Sequence, residues 1–362
     1  MLLCYLQQKP ALVAGLAATL FPESFCFFEG MTMHIAVIGG GSWGTALGHL
    51  FAGQGHNVTM LLRSEEQATA ITRQHENPRY LPGLALHPAL AATTSPEAAL
   101  HKAEICLLAV PCQHMRATLA PLAPLVPHSA IPICTSKGIE VANACTMQHV
   151  VEAVWPTQAT NYAILSGPSF AHEVTEGKPT AVVLGCGPQA LRATLREALS
   201  SSLFRVYSSP DVTGVELGGA LKNVMAIAAG LCDGLELGHS ARAALITRSL
   251  AEMSRLGVSL GAQAPTFMGL SGMGDLVLTC TGDLSRNRQV GLRLGRGESM
   301  EHITASMRNV AEGVKTTDAA CTLGAQLGVD LPVAQAVRRI VQEGASPRRV
   351  VGELMNRALR DE

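Results

Sequence analysis

The sequence is short of charge. Asp, Glu, Lys and Arg make up only 15% of its 362 residues, and the formal net charge is -1. No basic surplus is left to meet a nucleic-acid backbone or an anionic membrane. Ten cysteines are scattered without order: none forms C-x-x-C, and no Cys/His spacing suits zinc. They read as buried, reduced thiols of a cytoplasmic protein. The twelve histidines form no cluster, so no metal is expected. Internal repeats and long linkers are missing as well. At the amino terminus the apolar stretch in MLLCYLQQKPALVAGLAATLF is too short for the ~20 residues of a membrane span. Lys9 is its only basic flank, a poor match to an export signal. Residues 1–32 are therefore expected to be an extension outside the fold, with Met31 or Met33 as an alternative start and no stable membrane insertion.

What the chain has instead is apolar mass, 48% of its residues, enough for two domains. From Met33 to about Ser209, short apolar runs alternate with helical segments. The runs are HIAVI (34–38), NVTMLLR (57–63), ICLLAVP (105–111), IPICTSKG (131–138), YAILSGP (162–168), AVVLGC (181–186) and LFRVYSS (203–209). Runs without polar alternation suit strands buried on both faces of a parallel sheet. The rhythm predicts a Rossmann-like, doubly wound α/β domain over 33–209. Beyond it the pattern predicts helices only, over 210–230, 241–257, 286–294, 311–327, 331–343 and 346–359. Ser209 is the expected N-cap of the first, with Pro210 at its first position. The second domain, 210–362, is expected to be all-helical and to carry the substrate site. Its apolar character suits a homodimer.

Gly39-x-Gly41-x-x-Gly44 follows the first strand and opens a helix. In that setting the glycines permit a tight turn, close approach of a pyrophosphate, and its seating on the helix N-terminus. Ser42 and Trp43 lie in the turn, within reach of phosphate or ribose. The second strand ends in LLRSEE, so Arg63 and Ser64 stand where an acid would read the ribose of NAD. Arg63 can hold a 2′-phosphate, which favours NADPH. Glu65 can serve a ribose, which keeps NAD open, and an exposed strand-end charge is the plain alternative for Arg63.

The segment GVELGGALKNVMAIAAG (214–230) is apolar except for Glu216, Lys222 and Asn223. A buried, unpartnered lysine is costly, and a helical lysine ordinarily snorkels to solvent. Here the neighbours are Gly218, Gly219, Ala220 and Ala226, which suggests a ligand-lined cleft. Desolvation there would bring the ammonium toward a pKa useful for proton transfer. Lys137 and Gly138, and the SGPSF stretch with Ser166, Gly167 and Ser169, fall beyond strand ends, where open α/β sheets bind ligands. Asp275 sits between apolar stretches. Ser285, Arg286 and Asn287 form a candidate phosphate cradle. Singly, each has a bland reading as a cap or a solvated charge. Together they describe a small phosphorylated carbonyl compound meeting a nicotinamide.

The set GGGSWGTAL, TSKGIE, LSGPSFAHEV, GVELGGALKNVMAIAAG, GMGDLVLTC and SRNR, in that order, resembles bacterial-type NAD(P)-dependent glycerol-3-phosphate dehydrogenases from about Met33 to residue 355. The resemblance implies reversible reduction of dihydroxyacetone phosphate to sn-glycerol 3-phosphate, the entry to glycerophospholipid synthesis. It implies Lys222 as general acid/base. It implies substrate contacts at Lys137, Gly167, Ser169, Lys222, Asp275, Ser285, Arg286 and Asn287. It implies cofactor contacts at Ser42, Trp43, Arg63, Lys137, Ala171, Arg286, Val310 and Glu312. Two rivals stay open: a β-hydroxyacid dehydrogenase of the 6-phosphogluconate type, and a nicotinamide-sensing regulator without turnover.

Overall fold

The computed structural model describes residues 32–307 and 311–358. Eight strands form the main sheet: β1 (His34–Ile38), β2 (Asn57–Leu61), β3 (Ala91–Thr93), β4 (Ile105–Leu108), β5 (Ile131–Cys134), β6 (Ala163–Ser166), β7 (Thr180–Cys186) and β8 (Phe204–Ser209). Their order across the sheet is β8-β7-β6-β5-β4-β1-β2-β3. The six-strand stretch from β3 to β6 is the dinucleotide-binding order, with its switch point between β1 and β4. Strands β4 and β6 are buried at every position, as their unbroken apolar runs require.

One pairing departs from the expected parallel sheet. β7 runs antiparallel to β6, with Ala163 opposite Cys186 and Ser166 opposite Val183. The physical reason lies in the link between them. Residues 167–179 contain one short helix, Ala171–Thr175, too little to carry the chain back across the sheet for a parallel return. The edge strand β3 has no signal of its own, being three half-buried residues paired only with β2.

Helix α1 (Ser42–Gly53) follows the glycine turn. The helical part begins with α2 (Val212–Gly234), buried at every residue from Gly214 to Cys232. Its cap is Asp211, whose carboxylate accepts from Gly214 N–H at 2.9 Å, and not Ser209. Ser209 instead accepts from the Asp211 N–H, so the helix starts two residues later than expected. Around α2 pack α3 (His239–Ser259), α4 (Asp275–Thr281), α5 (Arg286–Gly295), α6 (Glu312–Gln326) and α7 (Pro332–Val341), and α8 (Pro347–Met355) packs on α7. α4 was not visible as a separate helix in the sequence because it is only two turns long.

α2 is the one described helix long and apolar enough to cross a membrane, and it is wholly buried in the core. It touches β6 and β7 on one side and helices on the other, so Thr32–Glu362 is a single compact unit.

Candidate active site

The strand ends place the site. β1, β4, β5 and β6 point their carboxyl ends to one edge, and the glycine turn, Cys112, Lys137 and Gly167 follow directly. Gly39 has φ +117°, and a Cβ there would fall 2.6 Å from the Ala109 carbonyl oxygen. A Cβ on Gly44 would fall 2.3 Å from Gly39 O. These two glycines let strand, turn and helix close up. Gly41 differs: nothing lies within 4 Å of its Cβ position. The open side of the turn therefore faces free space, and the indole Nε1 of Trp43 is buried nearby without a partner. An open backbone cradle at a helix start suits the pyrophosphate of NAD(P).

Two side chains invisible to the motif hold this turn. Gln67 and Asn77 both donate to the Gly40 carbonyl, at 2.6 and 3.2 Å. Ser42 donates to Tyr80 O at 2.9 Å, which ties its hydroxyl to the turn following Asn77. Arg63 is exposed and makes no ion pair or hydrogen bond among the described residues. Glu65 is engaged by the Thr94 hydroxyl, and Ser64 caps the helix Glu65–Thr69. Ala171 opens the helix Ala171–Thr175, which packs beside α1. Val310 lies outside the described residues.

Lys222 does not snorkel. It is 6% exposed, and its ammonium donates to Asp275 Oδ1 and, at 2.9 Å, to Thr279 Oγ1. Lys137 donates to the other oxygen, Asp275 Oδ2, at 2.7 Å, and to Gly167 O at 3.0 Å. One wholly buried carboxylate thus holds two ammoniums drawn from different halves of the fold. Burial pushes the Lys222 pKa down to about 8. Asp275 opposes that shift, and the neighbouring charge of Lys137 adds to it. Ser169 donates to Gly167 O at 3.0 Å, and Gly167 has φ +138°.

Thr279 was missed in the sequence. It stands four residues after Asp275 on α4, hence on the same face, and that spacing could have found it. The small residues of α2 have another explanation than a cleft. A Cβ on Gly218 would meet Ser271 O at 2.6 Å, and one on Gly219 would meet Ser166 Oγ at 2.5 Å. The protein itself fills those notches, which brings Lys137 and Ser166 against the helix carrying Lys222.

Ser285 is the N-cap of α5, accepting from Arg288 N–H at 3.2 Å. Arg286 is exposed at the first position. Arg288 is buried, with ion pairs of 2.7 Å to Asp233 and 2.8 Å to Asp283. It anchors the start of α5 and is not a solvated face. Asn287 is also buried, both ends of its amide taken, by Asn223 Oδ1 and by Gly313 N–H. Glu312 opens α6. Burial raises its pKa, with the Arg286 charge pulling the other way, and it accepts from Cys112 Sγ at 2.8 Å. A cavity of about 190 Å3 bounded by His49, Leu50, Val174, Lys178, Leu203 and Phe204 contains none of these groups.

Residues 34–192 match the family described as NAD-dependent glycerol-3-phosphate dehydrogenase N-terminus, and residues 211–352 its C-terminus. The chain is 58% identical over 330 residues to glycerol-3-phosphate dehydrogenase [NAD(P)+] of Oleidesulfovibrio alaskensis, covering 91% of this chain and 100% of that one. It is 49% identical over 333 residues to the enzyme of the same name from Geobacter sulfurreducens, covering 92% and 99%. Among solved structures, glycerol-3-phosphate dehydrogenase from Coxiella burnetii superposes with a TM-score of 0.86 at 36% identity, covering 90% of this chain and 99% of that one.

Proposed function

Because the chain belongs to the NAD-dependent glycerol-3-phosphate dehydrogenase family, we propose a mechanism for its NAD(P)-dependent dehydrogenase activity in which Lys222 exchanges the proton. A bound nicotinamide supplies or accepts the hydride at the carbonyl carbon of dihydroxyacetone phosphate or the corresponding carbon of sn-glycerol 3-phosphate. Lys222 donates its proton to the carbonyl oxygen during reduction and recovers it during oxidation. Its pKa of about 8 keeps both forms available near neutrality. Asp275 and Thr279 hold the ammonium in place, and Lys137 draws the Gly167 turn against the same carboxylate. The observation that carries this reading is the buried Lys222–Asp275–Lys137 cluster at the edge where the glycine turn opens.

The substrate phosphate is assigned to the start of α5. Ser285 caps that helix, and Arg286 at the first position is exposed and makes no hydrogen bond or ion pair among the described residues, so backbone N–H groups and a cation converge there. Gly167, Ser169 and Asn287 border the substrate, and Ser42, Trp43, Arg63, Ala171, Val310 and Glu312 the cofactor. NADPH is the preferred donor. Arg63 has no ion-pair partner among the described residues, whereas Glu65, the group that would read a ribose hydroxyl, is engaged with Thr94. Residues 33–209 act as the dinucleotide-binding domain and 210–362 as the substrate domain; the extension expected over 1–32 lies, but for its last residue, outside the described residues. The product feeds glycerophospholipid synthesis from the cytoplasm, and the active form is a homodimer. Eight free thiols among the described residues suit a reducing compartment.

The test is nicotinamide absorbance with dihydroxyacetone phosphate and NADPH or NADH, beside a Lys222→Ala variant. Loss of a general acid is expected to cost about 10²–10⁴-fold in turnover with cofactor binding retained. Unchanged turnover in the variant would refute the role of Lys222. A folded wild type that binds cofactor without turnover would favour the sensor reading.

A further inference from the structure

Arg288 is tied down through both its backbone and its side chain. Its N–H is accepted by Ser285 Oγ at 3.2 Å. Its carbonyl presses on α2, where a Cβ on Gly230 would fall 2.0 Å from the oxygen. Its guanidinium reaches the same helix three residues further on. There Nε and Nη2 both donate to Asp233 Oδ2, at 2.9 and 2.7 Å. Nη1 donates to Asp283 Oδ1 at 2.8 Å. Asp283 is itself folded back over α5, since its carbonyl accepts from Gln289 Nε2 at 3.2 Å. Asp233 is held from α3 as well, by Arg242 Nη1 at 2.9 and 3.1 Å. Arg286 and Asn287 stand between these anchors.

We infer that Asp233, Arg288 and Asp283 form a positioning clamp for the substrate phosphate, fixing the first turn of α5 and with it Arg286 and Asn287. The inference rests on the assignment of the phosphate to the start of α5. Residues three apart lie on one helix face, so α5 is gripped at two points along the same face of α2. That resists both sliding and turning of its first turn. A planar fork on a carboxylate fixes direction as well as distance, which an ammonium does not. Charge separates the clamp from the phosphate site. Two carboxylates and two guanidiniums cancel around Asp233, whereas Arg286 makes no ion pair among the described residues. A phosphate dianion is drawn to Arg286 and meets like charge at Asp233 and Asp283.

The test is kcat and KM for dihydroxyacetone phosphate at saturating NADPH. The full chain is compared with Asp233→Asn, Arg288→Lys, Asp283→Asn and, as the benchmark, Arg286→Ala, with melting curves to show which variants are folded. KM is expected to rise by roughly tenfold in Asp233→Asn and Arg288→Lys, with kcat largely kept. Arg288→Lys keeps the charge beside Asp233 and loses only the fork. Asp283 is exposed, so Asp283→Asn strands no buried charge, and a rise of about twofold is expected. A merely structural role would instead shrink the folded fraction, lowering kcat and leaving KM in place. If Arg288 took the phosphate itself, both carboxylates would compete with substrate, and both Asp→Asn variants would lower KM. An unchanged or lowered KM in any folded variant of the three overturns the clamp. If Arg286→Ala alone raises KM, only the clamp falls. If Arg286→Ala also leaves KM in place, the phosphate assignment falls with it.

Discussion

Asp275 is the residue on which the two lysines converge. It is wholly buried and its two oxygens each hold a lysine. Removing its charge leaves two ammoniums facing each other in the core. Asp275→Asn is expected to destabilise the protein by about 3–5 kcal/mol, the usual cost of stripping one partner from a buried ion cluster. It also has a signature beyond stability. Asp275 raises the Lys222 pKa while burial and Lys137 lower it, with the balance at about 8. Reduction needs Lys222 protonated, so wild-type kcat/KM for reduction should fall as pH rises through about 8, and the oxidation direction should rise. In Asp275→Asn the opposing influence is gone, and the limb should move to lower pH. A limb that stays in place, measured in a folded variant, would mean that Lys222 is not the titrating group. The lysine was legible in the sequence as an oddity of composition, and so were Lys137 and Asp275 as polar outcrops. Their mutual contact was not, since the two lysines are 85 residues apart in sequence and the aspartate lies on a helix too short to read.

The helices meet on glycines. α2 and α5 cross at Gly230 and Gly234 against Gly291 and Gly295. A Cβ on Gly291 would stand 1.9 Å from Ile227 O, and one on Gly230 would stand 2.0 Å from Arg288 O. This crossing sets how far the start of α5, with Arg286, stands from Lys222. Gly291→Ala is therefore expected to force the pair apart, costing about 1–3 kcal/mol or more and raising the Michaelis constant for dihydroxyacetone phosphate. Gly352→Ala is the matched control. It lies in α8, is exposed, and has nothing within 4 Å of its Cβ position. Alanine there should stabilise by up to about 1 kcal/mol through helix propensity alone. Equal melting shifts in the two variants would show that the crossing is looser than the backbone contacts imply. Element identity was readable from periodicity for the longer helices, and α4 is the exception. What could not be read was which glycines serve a ligand and which serve a helix crossing, because both leave the same small-residue signature.

At the scale of the whole molecule, the sequence divides where the strands stop, but the packing does not. α2 lies against β6 and β7 as well as against the helices that follow it, with α5 its most extensive neighbour. Glu216, near its start, is buried and accepts from Tyr162 Oη and from the Gln148 N–H, both at 3.1 Å. The helix carrying Lys222 thus also reaches the sheet, and contributes Val215 to the core on one of its faces. Unfolding is expected to be a single cooperative transition across both halves. The chain carries its own probes for this, since its only two tryptophans, Trp43 and Trp155, both lie in the nucleotide-binding half. Their fluorescence reports that half, whereas far-ultraviolet dichroism is weighted toward the helical half. The two melting curves should coincide. NADPH at about 100 times its dissociation constant should move both upward together, by the equivalent of about 2.7 kcal/mol. Two separated transitions, with cofactor moving only the fluorescence one, would show that α2 belongs energetically to the helices alone. The sheet would then fold around cofactor without it.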